Sequence, residues 1–282
     1  MAVYTAARKG YIKGMSQSSR KIKGLIKQGI MTGLYGAGSV LPKRRAQILI
    51  YHSIDNSGSC ISMAPLEFER QMEIIREEGR SVITLRELVE GLEKGDEKSD
   101  SVVLTFDDGF RNNYEAALPI LEKFGFKATI FLATGYLGKK CRWDKRPDIP
   151  DLPLLDWEMV KEMDSRGIDF QPHTVTHPHL TGIPEKKIRE ELRDSRKAIE
   201  DRIGKRCGLL CYPYGEYDSR VIEVVKEEGF SAAVAIRPEK EGIFSLGRVG
   251  SGHLTTPMAL KAALKGTFPF YLSLKSAFSG KR

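Results

Sequence analysis

From residue 46 onward the chain repeats one unit: a short apolar run, a turn, and an amphipathic stretch closed by glycine. The apolar runs are 48–54, 102–106, 128–133, 168–170, 209–212 and 232–236. The amphipathic stretches cover 65–78, 85–94, 112–124, 156–166, 185–203 and 218–228. Four of them end alike, on Glu78-Gly79, Phe124-Gly125, Arg166-Gly167 and Glu228-Gly229. Glycine there provides the left-handed residue that stops a helix, and an apolar run follows at once. Thr84 and Glu87 have the spacing of a capping box at the second helix. Strands alternating with helices predict a parallel sheet covered by helices, an α/β fold. At 282 residues and 41% hydrophobic, the chain can bury one large core, and a single (β/α) barrel is within that range.

Two segments break this pattern with chemistry. The run 102–106 stops on Thr105-Phe106-Asp107-Asp108-Gly109, two adjacent carboxylates and a glycine that permits a sharp turn. Farther on, His173-Thr174-Val175-Thr176-His177 sets two imidazoles four residues apart on a polar, Pro-flanked turn, with His179 in the same loop. One carboxylate and two histidines make a three-ligand metal site with a coordination position left open, the arrangement expected for catalysis. The carboxylate left over lies beside the metal, where a general base is needed. The pattern predicts a hydrolase. His52 and Tyr214 also lie at or near the C-terminal ends of their runs, the end at which barrel active sites form.

These segments, with Tyr212-Pro213-Tyr214-Gly215, resemble the first three motifs of the polysaccharide deacetylases, also known as the chitooligosaccharide-deacetylase homology domain or carbohydrate esterase family 4. The resemblance spans residues 46–252. It implies an irregular seven-stranded barrel and a metal-dependent hydrolase that removes the N-acetyl group from an N-acetylated amino sugar. Asp108, His173 and His177 become the metal ligands and Asp107 the base, with His179 passed over. The metal implied is divalent, zinc first, although Co2+, Ni2+ and Mn2+ suit the same ligands. The backbone N–H of Tyr214 is implied as the oxyanion donor, aimed by the fixed φ of Pro213.

Two histidines compete for the role of general acid: His52 in Leu49-Ile50-Tyr51-His52 and His253 in Ser251-Gly252-His253-Leu254. A Tyr-His strand ahead of the TFDDG motif resembles the branch of the poly-β-1,6-N-acetylglucosamine deacetylases, where the motif order is circularly permuted. His52 is expected on that ground. Trp157 is expected among the substrate-binding residues with Pro213 and Tyr214, and Tyr136, Trp143 and Tyr217 are further aromatic candidates for stacking on a sugar. The chain departs from the family twice. Cys211 stands where an Arg is common, and no Asp-x-x-Asp-Trp segment follows. Arg248 is the candidate to replace that Arg. The missing pair leaves a catalytically silent carbohydrate-binding relative as the rival reading, and sequence does not separate sugar amides from other non-peptide amides.

Charge divides the chain into three parts. Residues 1–45 hold ten Lys/Arg and no acid, and residues 260–282 hold five and no acid. That leaves 30 of the 45 bases against all 37 acids in between, a net of −7. The expected organisation is a basic leader (1–45), a catalytic domain (46–258) and a basic tail (259–282). Ile22, Leu25, Ile26 and Ile30 lie among Arg20, Lys21, Lys23 and Lys27, a pattern that suits an interfacial helix or, alternatively, a disordered or loosely packed leader. The Gly-rich run that follows is too short to span a bilayer, which takes about 20 apolar residues, and it makes a weak signal peptide. No nucleic-acid reader motif accompanies the bases, so an anionic membrane surface is the expected polyanion and no nucleic-acid partner is expected. Cys60, Cys141, Cys207 and Cys211 form no CxxC pair, which suits a reducing compartment. The expected location is cytoplasmic, peripheral on the inner membrane face, with an extracytoplasmic, anchored protein as the alternative. The substrate is then a lipid-linked glycan precursor or a polysaccharide.

Overall fold

The computed structural model describes residues 46–143, 149, 151–236 and 242–267. The leader 1–45 and the stretch 268–282 of the basic tail lie outside the described residues. Residues Lys43–Leu264 form one compact unit. In chain order its strands are β1 (Gln47–Tyr51), β2 (Ser53–Ile54), β3 (Ser62–Met63), β4 (Ser81–Ile83), β5 (Ser101–Phe106), β6 (Thr129–Leu132), β7 (Asp169–Pro172), β8 (Leu209–Cys211), β9 (Ala232–Ala235), β10 (Leu246–Gly247) and β11 (Val249–Gly250). Its α-helices are α1 (Pro65–Glu77), α2 (Leu85–Glu93), α3 (Leu118–Phe124), α4 (Trp157–Ser165), α5 (Glu185–Ile203), α6 (Ser219–Glu227) and α7 (Pro257–Leu264).

The helix signals read from sequence hold. Gly79, Gly125, Gly167 and Gly229 all have positive φ, between 63° and 90°. At α2 the capping box closes: Glu87 N–H donates to Thr84 Oγ1 at 3.2 Å, and Thr84 N–H donates to Glu87 Oε2 at 2.7 Å. The stretch 112–124 is not one helix. A π-turn, Asn113–Ala117, precedes α3, because Pro119 has no N–H to continue an α ladder. Helix α7 runs across the boundary expected at 258/259. Its buried Ala259, Leu260, Ala262, Ala263 and Leu264 form an apolar face, and it packs on α1.

Strand β5 is buried at every position, the pattern of a strand covered on both faces. It pairs in parallel with β1 from Gln47↔Val102 to Tyr51↔Phe106, and with β4 and β6 along its other edge. β7 continues the sheet from β6. A second sheet runs β8–β9–β10. Arg248 alone separates β10, which pairs with β9, from β11, which pairs with β1, so this segment joins the two sheets. Between β7 and β8 no ladder forms among the described residues, and the expected seven-stranded ring is therefore open there. Side chains bridge the seam instead. Leu209 N–H donates to Gln171 Oε1 at 3.1 Å, the Cys207 thiol to Phe170 O at 3.4 Å, and His173 Nδ1–H to Cys211 O at 2.8 Å. Pro172, with no N–H of its own, ends β7 at this seam.

Candidate active site

A strand exposes every second residue to the same face, and this period builds the site. Ile48, Val103, Leu209 and Leu246 lie in one buried apolar cluster with Phe131, Val234 and three residues of α2. An even number of residues further along the same strands come His52, Asp107, Cys211 and Arg248. Each apolar inward row thus ends, at its C-terminal end, on a polar group.

Asp107 and Arg248 form the centre. Arg248 Nη1 donates to Asp107 Oδ1 at 2.7 Å and Nη2 to Oδ2 at 2.8 Å, a bidentate pair with the Arg248 side chain fully buried. The guanidinium is held in turn by Ala235 O, at 3.3 Å from Nε, and by Thr105 Oγ1, at 3.2 Å from Nη1. Burial alone would raise the Asp107 carboxyl. The charge and hydrogen bonds of Arg248 outweigh it, with smaller help from His173 and His52, and hold the group well below the usual carboxylate range. Cys211 Sγ lies 3.1 Å from Arg248 Nη2 and donates to Asp107 Oδ2 at 3.4 Å. Burial pushes this thiol well up, so it is a neutral donor. His52 Nε2 stands 4.0 Å from Asp107 Oδ2, and Asn113 Nδ2 donates to the His52 carbonyl at 2.8 Å. His253 lies on the one-turn helix Ser251–His253, just past β11.

Beside this pair stand Asp108, His173 and His177, all buried. Asp108 Oδ1 is 3.6 Å from His173 Nε2 and 3.5 Å from His177 Nε2, and the two Nε2 atoms are 3.2 Å apart. Ligand atoms about 2.0–2.1 Å from a tetrahedral ion stand about 3.3 Å from one another. The triangle therefore has the size of one face of a zinc-like coordination shell. The His173 Nδ1 bond to the Cys211 carbonyl fixes its tautomer and leaves Nε2 with a free lone pair directed at the centre. Burial lowers His173 to about 4, and burial together with the nearby His173 lowers His177 to about 2. Both rings are thus neutral and able to ligate near pH 7. The three residues fit a divalent cation, and Asp108 reaches its place through a left-handed φ of 73° beside Gly109 at 76°.

Pro213–Gly215 is a single 3₁₀ turn after β8, with Tyr214 at φ 60° and ψ 2°. Its ring meets His177 edge-on at 4.6 Å and stacks on His179 at 3.9 Å. His179 is directed away from the ligand triangle into a bond with Glu216, its Nδ1 donating to Oε2 at 2.8 Å. Trp143 stacks on His177 at 4.9 Å, and Tyr136 packs against Trp143 at 4.8 Å. The expectation for Trp157 is not met. Its ring lies under the Arg202 guanidinium at 5.1 Å, in the contact between the first turn of α4 and the last turn of α5. Trp143 is the tryptophan beside the ligands, brought there by a loop whose path no local periodicity foretells. Tyr217 stacks on the buried Tyr212 at 5.0 Å as part of the core. Asn113 escaped sequence reading, because the π-turn that places it lies within a stretch, 112–124, whose pattern reads as one helix.

Comparison with known proteins bears on this geometry directly. The family model for polysaccharide deacetylase matches residues 94–233. A protein of Bacillus subtilis (strain 168) named for polysaccharide deacetylase, YxkH, is 31% identical over 207 residues, which are 72% of this chain and 70% of that one. The chain belongs to the polysaccharide deacetylase family. It is thus a hydrolase of the class acting on carbon–nitrogen bonds other than peptide bonds. The poly-beta-1,6-N-acetyl-D-glucosamine N-deacetylase of Staphylococcus aureus (strain MRSA252) is 27% identical over 177 residues, 60% of this chain and 59% of that one. In fold the chain is similar to the Streptococcus pyogenes deacetylase PplD, solved in complex with acetate, with a TM-score of 0.67 at 24% identity over 80% of this chain and 99% of that one. Against the polysaccharide deacetylase background Cys211 gains its meaning. Where an Arg was expected, a small thiol lies 3.1 Å from Arg248 Nη2, and Arg248, between β10 and β11, is the guanidinium that meets Asp107.

Proposed function

We propose that the protein is a metal-dependent N-deacetylase that hydrolyses the acetamide of an N-acetylated amino sugar, in a polysaccharide or a lipid-linked glycan precursor. The Asp107–Arg248 pair set against the Asp108–His173–His177 triangle carries this reading: an ionised carboxylate, fixed at two atoms, borders a three-ligand cation site. A bound divalent cation, zinc first among the candidates, supplies Lewis-acid polarisation of the acyl oxygen and an acidified water. Asp107 accepts the proton of the attacking water at Oδ2, and Arg248 keeps that oxygen from rotating away. The backbone N–H of Tyr214 is assigned to the developing oxyanion, a contribution of about 2.7–4 kcal/mol for such donors. His52 passes a proton to the departing amine. Its distance of 4.0 Å from Asp107 supports this role, and the Asn113 bond to its carbonyl ties down the strand end. Arg248 also argues against a silent carbohydrate binder, because a site without catalysis has no use for a buried cation orienting the base.

The test is acetate release from N-acetylglucosamine oligomers and from lipid-linked N-acetylglucosamine, with and without zinc or cobalt. Metal-dependent release that falls by about 10²-fold or more in Asp107→Asn is the expected result. Undiminished release by that variant would sink the assignment of the base. The charge of the leader and tail supports work at an anionic membrane face, with each nearby Lys or Arg adding about 1 kcal/mol of attraction. Co-sedimentation with anionic liposomes should weaken when residues 1–45 are removed, and equal binding would refute the membrane placement.

A further inference from the structure

We propose that Glu191, on α5, is a positioning residue that holds the ligand loop in its binding conformation and thereby sets the affinity for a divalent cation. The inference rests on the reading of Asp108, His173 and His177 as ligands. The loop between the two histidines is strained: Thr174 has φ 67° and His177 φ 56°, left-handed values for residues that carry a Cβ. Such conformations persist only where the surroundings over-determine them. Three sets of bonds do so here. Thr134 N–H and Gly135 N–H donate to the carbonyls of Thr174 and Val175 at 3.1 and 2.9 Å. His177 N–H donates to Thr174 Oγ1 at 3.0 Å. The third set belongs to Glu191. Val175 N–H and Thr176 N–H both donate to its Oε2, at 2.7 and 2.8 Å, and Thr176 Oγ1 donates to its Oε1 at 2.6 Å.

One carboxylate thus takes three hydrogen bonds from the two residues at the crest of the loop. Successive N–H groups converging on one anionic oxygen form a small nest, and here the anion is supplied by the protein. Gly135 N–H holds the Val175 carbonyl on one side of the crest, and Glu191 holds the N–H groups of Val175 and Thr176 on the other. Its own position is secured by the buried Ile188, Leu192, Ser195 and Ile199 of the same helix, which would keep α5 in place without it. The approach from the other side is equally close: a Cβ at Gly135 would meet Val175 O at 2.7 Å. The loop is pinned between Gly135 and Glu191, and the separation of its two imidazoles is set by that pinning.

Partners one shell out from metal ligands are worth about 10–100-fold in affinity, and the test is a zinc titration of the full chain by chelator competition, read without turnover. Glu191→Gln keeps the reach of the side chain and one oxygen for both N–H groups, and should bind zinc within about threefold of the unaltered protein. Glu191→Asp keeps the charge but withdraws the carboxylate by one methylene, and should bind about 10–100-fold more weakly, as should Glu191→Ala. Circular dichroism and thermal unfolding of the zinc-free variants accompany each titration. Wild-type affinity in Glu191→Asp and Glu191→Ala would overturn the proposal, as would a loss of affinity in Glu191→Asp matched by loss of its zinc-free fold. If Glu191→Ala does not fold, the contrast between Asp and Gln decides. If the unaltered protein binds no zinc, the metal reading itself falls and this inference with it.

Discussion

At the scale of single residues, the Asp107–Arg248 pair explains how this chain manages without an Arg at position 211. A buried carboxylate is costly unless a charge accompanies it, and Arg248 meets Asp107 with both of its terminal nitrogens. Arg248→Ala leaves Asp107 buried and uncompensated, so we expect a stability loss of about 3–5 kcal/mol together with loss of activity. Arg248→Lys keeps the charge without the fork, and should fold while kcat drops by at least about tenfold. Urea unfolding and acetate release read these two effects separately. The histidines give a pH signature. Burial lowers His173 from the ordinary 6.5 to about 4. A histidine lowered in the native state contributes stability that is full above the unfolded pKa and is lost as protons bind the unfolded chain. The metal-free protein should therefore lose on the order of a few kcal/mol between pH 6.5 and pH 4. Denaturant titrations at pH 7.5, 5.5 and 4.5 check the sign, and a flat profile would contradict it.

Among the elements, the open seam between β7 and β8 is the distinctive feature. Where a ladder would otherwise close the ring, Gln171 accepts from Leu209 N–H and His173 donates to Cys211 O. The second of these bonds also sets the tautomer of a ligand, so the gap in the sheet and the chemistry share a side chain. Gln171→Ala removes the acceptor from a buried N–H and should cost about 1–3 kcal/mol. It should also accelerate hydrogen exchange at Leu209. Exchange that remains as slow as in the unaltered protein would show that the seam is held by other means.

For the whole molecule, cation binding is linked to folding. A ligand that binds only the native state adds about 2.7 kcal/mol at 100 times its dissociation constant. For a unit of this size that raises Tm by about 5–10 °C. Asp108→Ala should abolish the zinc-induced shift and leave the zinc-free Tm nearly unchanged or higher, since it removes a buried carboxylate. A full shift in that variant would exclude Asp108 as a ligand. No helix among the described residues is long and apolar enough to cross a membrane.

The alternation of units, the glycine stops, the capping box at Thr84 and both ligand motifs are local patterns, and each was legible in the sequence because its cause acts within a few residues. The candidate site was legible to the same depth: Asp107, Asp108, His173, His177 and Tyr214 stand out by position at strand ends. Other features arise only when distant segments meet. Arg248 meets Asp107 across 141 positions, Trp143 reaches His177 through an irregular loop, and Glu191 lies in a helix rich in look-alike carboxylates. Trp157 carried the right chemistry but its ring faces Arg202. Local periodicity specifies which face of a strand or helix a residue occupies. Which faces then converge is decided by the parallel register of the sheet and by where its ladder is left open.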